Sequence, residues 1–294
     1  MSAPKMPELP EVETILIGLR AALADRRIIS TEVRSDLRWP VSDDLSIRAD
    51  GKKIRAATRL GKYMLIALMR GPTLLIHLGM SGRIRITHPR RKGSTYLPML
   101  HEHVTLTLDN GTRIGLVDPR RFGCFLLLDS GHEREHPLLA RLGADPLLPG
   151  FDAAYLVAKL AGKRSPIKTV LLDQHVVAGL GNIYVSEILF RARINPERRA
   201  ASLVVDEVTR IAEVTPAVLE EAIGAGGSTL RDYVDSEGKP GAFQELHQVY
   251  GREGEPCPDC PGYPVCHGIR RVVQAGRSSF YCPRLQPPLS LEDA

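Results

Sequence analysis

The segment Met6-Pro7-Glu8 near the N-terminus combines residue types that could do covalent chemistry. If Met6 starts the translated chain and is removed, Pro7 has a free secondary amine beside the Glu8 carboxylate. An α-amino group has a pKa near 8, so roughly one molecule in ten carries the unprotonated, nucleophilic form at pH 7. Attack on a sugar C1′ would give an iminium ion, an electron sink suited to elimination, and Glu8 could transfer protons. Proline before acidic residues is also typical of a simple helix start, so this segment alone leaves both interpretations open.

Four of the five cysteines lie near the C-terminal end: Cys257, Cys260, Cys266 and Cys282. The first two have the C-x2-C spacing of a metal-binding knuckle. Because the N-terminal segment is acidic and not an apolar signal, we expect the protein in the cytoplasm, where thiols favour metals over disulfides. The C-terminal segment that contains these four cysteines is therefore predicted to form a small metal-binding module. Cys124, in an apolar run, is expected to be inert core, and the triplet His101-Glu102-His103 lacks further ligands and does not predict a metal site.

The composition indicates a globular chain with a basic balance. With 294 residues, 43% of them hydrophobic, the chain can bury a core and form about two domains. Lysine and arginine exceed acidic residues by 39 to 34, which gives a net charge of +5 and a pI near 9.0. This balance favours a polyanionic partner, although a solvated basic surface has the same signature. The apolar runs are too short to cross a bilayer, which predicts no membrane insertion.

The predicted secondary structure that must position these residues differs between the parts of the chain. Apolar residues at helical spacing after Pro10 predict an amphipathic helix as far as Leu23. Short β-rich runs between residues 62 and 128, with the hairpin turn Asp109-Asn110-Gly111, predict an antiparallel β-sandwich. A turn-rich linker at 143–150 leads into predicted helices at 153–161, 182–192 and 205–223, and then into a small cysteine-bearing hairpin. The predicted fold class is therefore α+β.

The residues Pro7-Glu8-Leu9-Pro10-Glu11-Val12-Glu13 resemble the N-terminal signature of formamidopyrimidine-DNA glycosylases. Further motifs of that family recur in order along nearly the whole chain, at residues 59–63, 77–82, 118–123, 179–184, 238–241 and 276–283. The resemblance implies a bifunctional DNA glycosylase and AP lyase that excises oxidised purines (8-oxoguanine and formamidopyrimidines) from damaged double-stranded DNA. It also implies a monomer that nicks the strand by β,δ-elimination.

The resemblance gives catalytic roles to four residues. Pro7 is the Schiff-base nucleophile, and Glu8 is the acid that protonates the departing base or the sugar oxygen. Lys62 matches the lysine linked to β-elimination and phosphate contact. Arg277 matches the hairpin arginine that binds phosphate beside the lesion and takes part in δ-elimination. A guanidinium suits this task because it pairs with two phosphate oxygens and keeps its charge.

A second group of residues matches DNA-contacting positions of the family: Met80, His101, Arg120, Arg121, Phe122, Lys163 and Asn182. Three of them, Met80, Arg120 and Phe122, resemble the wedge that fills the gap left when the damaged nucleotide rotates out of the duplex. The turn Gly179-Leu180-Gly181 precedes a predicted helix, so Asn182 is expected to cap that helix and to donate to a phosphate. This turn resembles part of the family's helix-two-turn-helix motif.

The resemblance also implies a division of the chain into four segments. Residues 1–6 are an extension expected to be absent from the mature enzyme, because a proline inside a chain has a tertiary amide nitrogen that is not nucleophilic. Translation from Met6, or cleavage of the extension, would expose Pro7. The remaining segments are a catalytic β-sandwich domain at 7–148, a helix-two-turn-helix DNA-binding domain at 149–242 and a zinc-finger-like hairpin at 243–294, with DNA expected in the cleft between the two domains.

The metal hairpin departs from the family pattern at one position. Leu285 stands where the family's C-x2-C spacing after Cys282 places the fourth cysteine, and leucine cannot bind a metal. Either zinc is lost or another residue replaces this ligand. Cys266 is the first candidate and His267 the second. We expect one structural zinc ion bound by Cys257, Cys260, Cys266 and Cys282.

Two rival functions stay open at this point. An endonuclease VIII-like glycosylase would prefer oxidised pyrimidines, but Leu9 and the Lys239-Pro240-Gly241 loop resemble the purine enzyme. A DNA-binding protein that recognises lesions without chemistry would keep Met80, Asn182 and Arg277 but would have no free Pro7 amine.

Overall fold

The computed structural model describes residues 6–89, 96–228, 241–260 and 266–288, which fall into two units. The first unit comprises described residues of Met1–Arg141 and Ala225–Ala242, and the second comprises those of Leu142–Gly224 and Phe243–Ala294. Within the described ranges, no helix has both the length and the apolar character needed to span a membrane. The limits of the four sequence segments given above stay a prediction.

The first unit begins with helix α1 (Leu9–Leu23), which carries the N-terminal motif. Its apolar residues recur every three or four positions, so one stripe of the helix lies in the core of the unit. Pro10 lies in the first turn, where its missing N–H costs no helical hydrogen bond. The buried stripe consists of Val12, Ile15, Leu16, Leu19 and Leu23. The predicted N-terminal helix is confirmed.

Two four-stranded antiparallel sheets form the β-sandwich of the first unit. One sheet has the order β1 (Ile28–Val33), β6 (Glu102–Leu108), β7 (Arg113–Val117) and β5 (Arg83–Thr87). The other has the order β2 (Ile54–Leu60), β3 (Tyr63–Leu68), β4 (Thr73–His77) and β8 (Cys124–Leu128). Short helices α2 (Leu45–Ala49) and α3 (Pro137–Ala140) follow β1 and β8 in the chain. Side chains of α1 and of both sheets share one buried apolar cluster, which confirms the predicted sandwich.

Two local features of the sheets matter for the candidate site, one a turn and the other a set of paired residues. The predicted hairpin turn between β6 and β7 is confirmed: Gly111 has a φ of +81° and its N–H donates to the Leu108 carbonyl at 2.8 Å. In the other sheet, Tyr63 pairs with His77, and His77 pairs in turn with Cys124. His77 is therefore the last residue of an inner strand, with a neighbouring strand on each side.

Helices dominate the second unit, together with one two-stranded hairpin. The helices are α4 (Ala153–Leu160), α5 (Ile167–Leu171), α6 (Asn182–Arg191) and α7 (Val205–Gly224). The three predicted helices match α4, α6 and α7, and each predicted end lies within one residue of the observed end. The short α5 was not predicted. Strands β9 (Arg270–Gln274) and β10 (Arg277–Tyr281) form the C-terminal hairpin.

Candidate functional site

The start of α1 holds two acidic side chains in the interior. Glu8 is the N-cap residue, and its side chain accepts the backbone N–H of Glu11. In return, the Glu11 carboxylate accepts the Glu8 backbone N–H at 2.9 Å, which completes a capping box. Glu8 is 4% exposed and Glu11 is 3% exposed. This reciprocal pairing fixes the Glu8 side chain next to Pro7, which is itself half-buried.

Glu11 also connects the helix start to a distant segment of the same unit. Its second carboxylate oxygen accepts the backbone N–H of Ser228 at 2.8 Å, across 217 positions of sequence. Gly227 has a φ of +79°, and a Cβ added to Gly241 would lie 2.2 Å from the Gly227 carbonyl oxygen. The chain on both sides of residues 229–240 is thus held at the start of α1. Of the motif Lys239-Pro240-Gly241, only the glycine lies within the described residues.

Lys62 lies in the tight turn between β2 and β3. Gly61 adopts a φ of +57°, and the Arg59 guanidinium donates to the Gly61 carbonyl at 3.0 Å. The same guanidinium donates to the Glu13 carboxylate of α1 at 2.8 Å, so the turn is tied to the helix. Lys62 is 5% exposed. A lysine at a strand end is usually solvated, and its burial here indicates a positioned amine instead.

His77 is a neutral base beside Lys62. Its Nδ1 accepts the Gly79 backbone N–H at 3.1 Å, and its ring lies 4.7 Å from the Tyr63 ring between centroids. Burial, and to a smaller extent the Lys62 charge, lower the pKa of His77 to about 4, while Asp118 acts in the opposite direction. The imidazole is therefore uncharged at neutral pH. The sequence analysis placed His77 inside a motif but did not single it out as a site residue.

Two loops of the first unit carry the residues predicted to form a wedge. Met80 follows β4 and is half-buried, whereas Arg120 and Phe122 follow β7 and are exposed. The Arg120 guanidinium carbon lies 4.7 Å from the Phe122 ring centroid, as in a cation–π pair. A Cβ on Gly79, which has a φ of +59°, would lie 2.5 Å from the Phe122 carbonyl carbon. The glycine thus allows the two loops to meet backbone to backbone.

His101 and Arg121 are exposed on the same unit, both at positive φ. His101 has a φ of +64° and directly precedes β6, and Arg121 has a φ of +57°. The neighbouring His103 is buried, and its Nε2 donates to the Asp118 carbonyl at 2.8 Å. Because His103 makes this hydrogen bond inside the sheet while His101 faces solvent, the two histidines do not form a metal-binding pair.

In the second unit, Asn182 does not cap α6 as predicted. The N-cap residue is Gly181, in an extended conformation with φ −139° and ψ −166°, and Asn182 is the first helical residue. Its side-chain amide donates to the Ser278 carbonyl of β10 at 2.9 Å. The helix start and the hairpin are therefore connected by this amide. Lys163, in the turn after α4, is exposed.

Arg277 is exposed at the first position of β10. It follows a tight turn in which Ala275 and Gly276 have φ of +47° and +74°. The strand behind it is held by Lys168 of α5, whose ammonium donates to the Ser278 carbonyl at 2.7 Å and to the Ser279 hydroxyl at 2.8 Å. Lys168 is 1% exposed, and no local sequence signal indicated this burial.

The cysteines of the second unit form one cluster. The sulfurs of Cys257, Cys260, Cys266 and Cys282 all lie within 4.8 Å of one another. The Cys260 and Cys282 sulfurs are 3.4 Å apart, and tetrahedral coordination with metal–sulfur bonds of about 2.3 Å places sulfurs at similar separations. Four thiolates in this arrangement can hold a metal ion. Cys266 lies in the cluster, whereas His267, the second candidate, does not, and the ligand role of Cys266 in place of Leu285 stays a prediction.

The described residues combine a buried acid beside a proline near the N-terminus with exposed basic and apolar side chains on tight loops. Such an arrangement suits an enzyme that removes a base from duplex DNA, because the base must leave the stack and the gap must be filled. Fold and site thus define a DNA glycosylase. Two family models match the chain, the formamidopyrimidine-DNA glycosylase N-terminal domain at residues 6–125 and the H2TH domain at residues 142–234. The chain belongs to the formamidopyrimidine-DNA glycosylase family.

Curated relatives and solved structures agree with this assignment along nearly the full chain. The formamidopyrimidine-DNA glycosylase of Gluconobacter oxydans is 50% identical over 282 residues, which are 96% of this chain and 100% of the relative. That of Acidiphilium cryptum is 48% identical over the same shares. The crystal structure of MutM (Fpg) from Thermus thermophilus is similar with a TM-score of 0.82 and 40% identity, covering 95% of this chain and 98% of that one. Lactococcus lactis Fpg bound to DNA with an abasic site gives a TM-score of 0.83 at 31% identity, covering 96% and 100%.

Proposed function

We propose that this chain excises oxidised purines, such as 8-oxoguanine and formamidopyrimidines, from double-stranded DNA and then nicks the strand. The observation that carries the proposal is the buried Glu8 carboxyl group, held by a capping box directly after Pro7. Solved relatives include a Lactococcus lactis Fpg mutant bound to DNA containing Fapy-dG and a MutM bound to DNA containing carbocyclic 8-oxo-G. The enzyme acts as a monomer on the DNA of the cytoplasm.

The reaction starts at the amine of Pro7. Its nitrogen lone pair attacks the sugar C1′ as the bond from C1′ to the base breaks. The C1′–O4′ bond then breaks while the amine loses its proton, which gives the iminium ion, and Glu8 donates a proton to the departing base or to the sugar oxygen O4′. The resulting iminium ion accepts electrons when a proton leaves C2′, so the 3′ phosphate is expelled by β-elimination. A second elimination expels the 5′ phosphate. Lys62 assists the first elimination and Arg277 the second, each beside a phosphate whose charge it neutralises.

The chemistry requires Pro7 to be the first residue. Inside a chain its nitrogen is a tertiary amide, which is neither basic nor nucleophilic. We therefore propose that the working enzyme begins with Pro7, either through translation from Met6 and removal of that methionine or through cleavage of the extension. A secondary amine forms an iminium without an N–H, which keeps the positive charge that drives elimination.

The DNA contacts follow from exposure and charge. Met80, Arg120 and Phe122 fill the gap that the flipped nucleotide leaves, since a flexible chain, a guanidinium and a ring can replace a stacked base. Phosphate contacts come from exposed basic residues and from the start of α6: His101, Arg121, Lys163 and Asn182.

The four clustered cysteines hold one zinc ion with a structural role. Zinc suits four thiolates, and a metal so bound stabilises a hairpin that has little apolar core of its own. In β9 all five residues are at least partly exposed, which agrees with this small core. The metal thereby keeps β10, and Arg277 with it, in place.

A cleavage panel tests the proposed function. Purified protein beginning at Pro7 is incubated with duplexes that contain 8-oxoguanine, a formamidopyrimidine, an oxidised pyrimidine or no lesion. We expect cleavage of the two purine lesions and strand ends that carry phosphate on both sides of the gap. Preference for the pyrimidine would favour an endonuclease VIII-like enzyme. Lesion binding without any cleavage would favour a non-catalytic DNA-binding protein.

A further inference from the structure

One buried carboxylate, that of Asp118, connects the two loops of the first unit that carry Met80 and Phe122. Asp118 is completely buried. One of its oxygens, Oδ1, accepts the Ser81 hydroxyl at 2.6 Å and the Arg120 backbone N–H at 3.3 Å. The other, Oδ2, accepts the Gly123 backbone N–H at 2.8 Å. The side chain therefore bonds to the residue after Met80 and to residues on both sides of Phe122.

The backbone of Asp118 makes further hydrogen bonds, to two histidines near the start of β6 and to Arg121. Its N–H donates to the His101 carbonyl at 2.9 Å. Its carbonyl accepts the His103 Nε2 at 2.8 Å and the Arg121 N–H at 3.2 Å. A single buried aspartate is thus hydrogen-bonded to His101, Arg120 and Arg121 and to the residues that directly follow Met80 and Phe122.

The two loops are also too close to move independently. The Gly79 position is so near the Phe122 carbonyl carbon that a Cβ would lie 2.5 Å away. On the other side, a Cβ on Gly123 would lie 2.6 Å from the His77 carbonyl oxygen. Backbones packed at this distance transmit any displacement of one loop to the other.

We propose that Asp118 is a positioning residue that holds Met80, Arg120 and Phe122 in one arrangement, ready for insertion into the duplex. The inference rests on the void-filling role proposed above for these three residues. A buried carboxylate bonded to several donors gives strong, charge-assisted hydrogen bonds. Fixing the loops before binding lowers the entropic cost of inserting three side chains in the strained complex.

The test compares Asp118→Asn with Ser81→Ala and with a control, Asp50→Asn. The amide keeps the size of the carboxylate but cannot accept hydrogen bonds at both ends. Ser81→Ala removes the Ser81 hydroxyl, which donates to Asp118 at 2.6 Å and accepts the Arg120 backbone N–H at 3.3 Å, and leaves the other bonds of Asp118 intact. The control makes the same change outside the two loops, at Asp50, whose carboxylate accepts the Thr31 hydroxyl at 2.7 Å. Each protein is assayed on 8-oxoguanine paired with cytosine and on the same lesion opposite an abasic site.

On the paired lesion, we expect Asp118→Asn to lose about tenfold or more in the excision rate, through kcat rather than KM. Opposite an abasic site no base has to be unpaired or replaced, so the loss is expected to shrink to about threefold or less. Ser81→Ala should show the same dependence on pairing with a smaller loss. The control should lose equally little on both substrates.

Equal losses of Asp118→Asn on both substrates would overturn the positioning role. If this variant does not give a cooperative melting transition, Ser81→Ala decides, and wild-type rates for it on the paired lesion would overturn the proposal. Borohydride trapping of the wild-type protein that begins at Pro7 is measured in parallel on abasic DNA. A wild-type protein that is not trapped contradicts the proposed function itself, which keeps the two failures apart.

Discussion

The start of α1 and the C-terminal hairpin each carry a proposed catalytic residue, but different interactions hold them. At the start of α1, Glu8 and Glu11 are buried, and their capping box lies on a helix that packs into the main core. The hairpin has a mostly exposed strand β9 and is held by a buried Lys168 and by the cysteine cluster. The comparison teaches that the site at the start of α1 depends on the core of its unit, whereas the hairpin depends on a few polar contacts and on the cysteine cluster.

This difference predicts distinct weaknesses. The activity that depends on the α1 site should fall when a single charge is changed and should not be affected by chelators. The hairpin should lose stability when a metal ion or one thiol is removed, because it has few apolar contacts to compensate.

The largest effect is expected for Glu8→Gln. Loss of a general acid lowers base excision by roughly 10²- to 10⁴-fold, while elimination at a preformed abasic site falls much less because the amine remains. The glutamine oxygen can still accept the Glu11 N–H, so the helix cap persists. Single-turnover rates on both substrates measure this. Glu32→Gln, at an exposed carboxylate paired with Arg34, is the control, and excision by Glu8→Gln within threefold of wild type would contradict the assigned role.

Cys266→Ser should have the next largest effect. We expect loss of the bound zinc and a fall in strand nicking of roughly 10- to 100-fold, because the hairpin then no longer holds Arg277 in place. Zinc content is measured by metal analysis. Cys124→Ala changes the one cysteine outside the cluster, which is buried next to His77, and should leave the zinc content unchanged. An active wild-type enzyme without zinc would mean that packing alone holds the hairpin.

Lys62→Ala is expected to separate the two steps of the reaction at the α1 site. Lesion binding weakens but persists, since one phosphate contact among many is removed, while nicking falls about tenfold further than base removal. The products of both steps are quantified in one gel assay. Lys53→Ala, which removes an exposed pair with Asp25 at 3.0 Å, is the control. Equal losses of nicking and base removal would show that the role given to Lys62 is wrong.

The smallest effect concerns His77 and the pH dependence of stability. In the unfolded chain histidine binds a proton below about pH 6.5, whereas the folded His77 does so only near pH 4. Between these values the unfolded state binds more protons, so the wild-type protein loses up to about 1.4 kcal/mol of stability per pH unit as pH falls. His77→Asn should lack this component. The free energy of unfolding of both proteins is measured by denaturant at pH 7, 6 and 5. If it changed with pH by the same amount in both proteins, His77 would not be neutral in the folded state.

Much of the fold could be predicted from the sequence because its signals are local. The spacing of Val12, Ile15 and Leu16 defines α1, and the Asn-Gly turn defines the β6–β7 hairpin. The sequence also predicted that Cys266 joins the other three cysteines in place of Leu285, because Cys266 lies between them in the chain and a thiol can bind a metal.

The remaining features depend on contacts that no local pattern contains. The Glu11 carboxylate meets Ser228 across 217 positions, and Lys168 meets Ser278 across 110. A lysine in a short helical segment is typical of a solvated surface, so its burial could not be predicted. Asn182 was wrongly predicted as a cap because Gly181 takes the extended N-cap conformation and leaves the amide to bind the hairpin.

The central claim is that the Pro7 nitrogen forms a Schiff base with DNA, and borohydride trapping tests it most directly. Two forms of the protein are compared on DNA with an abasic site, one beginning at Pro7 and one retaining Met1 to Met6. Borohydride reduces the iminium to a stable adduct, and digestion followed by mass spectrometry locates it. We predict an adduct on the peptide that begins Pro7-Glu8-Leu9 in the first form and no adduct in the second, whose proline nitrogen is an amide. Equal trapping of both forms would mean that another amine is the nucleophile.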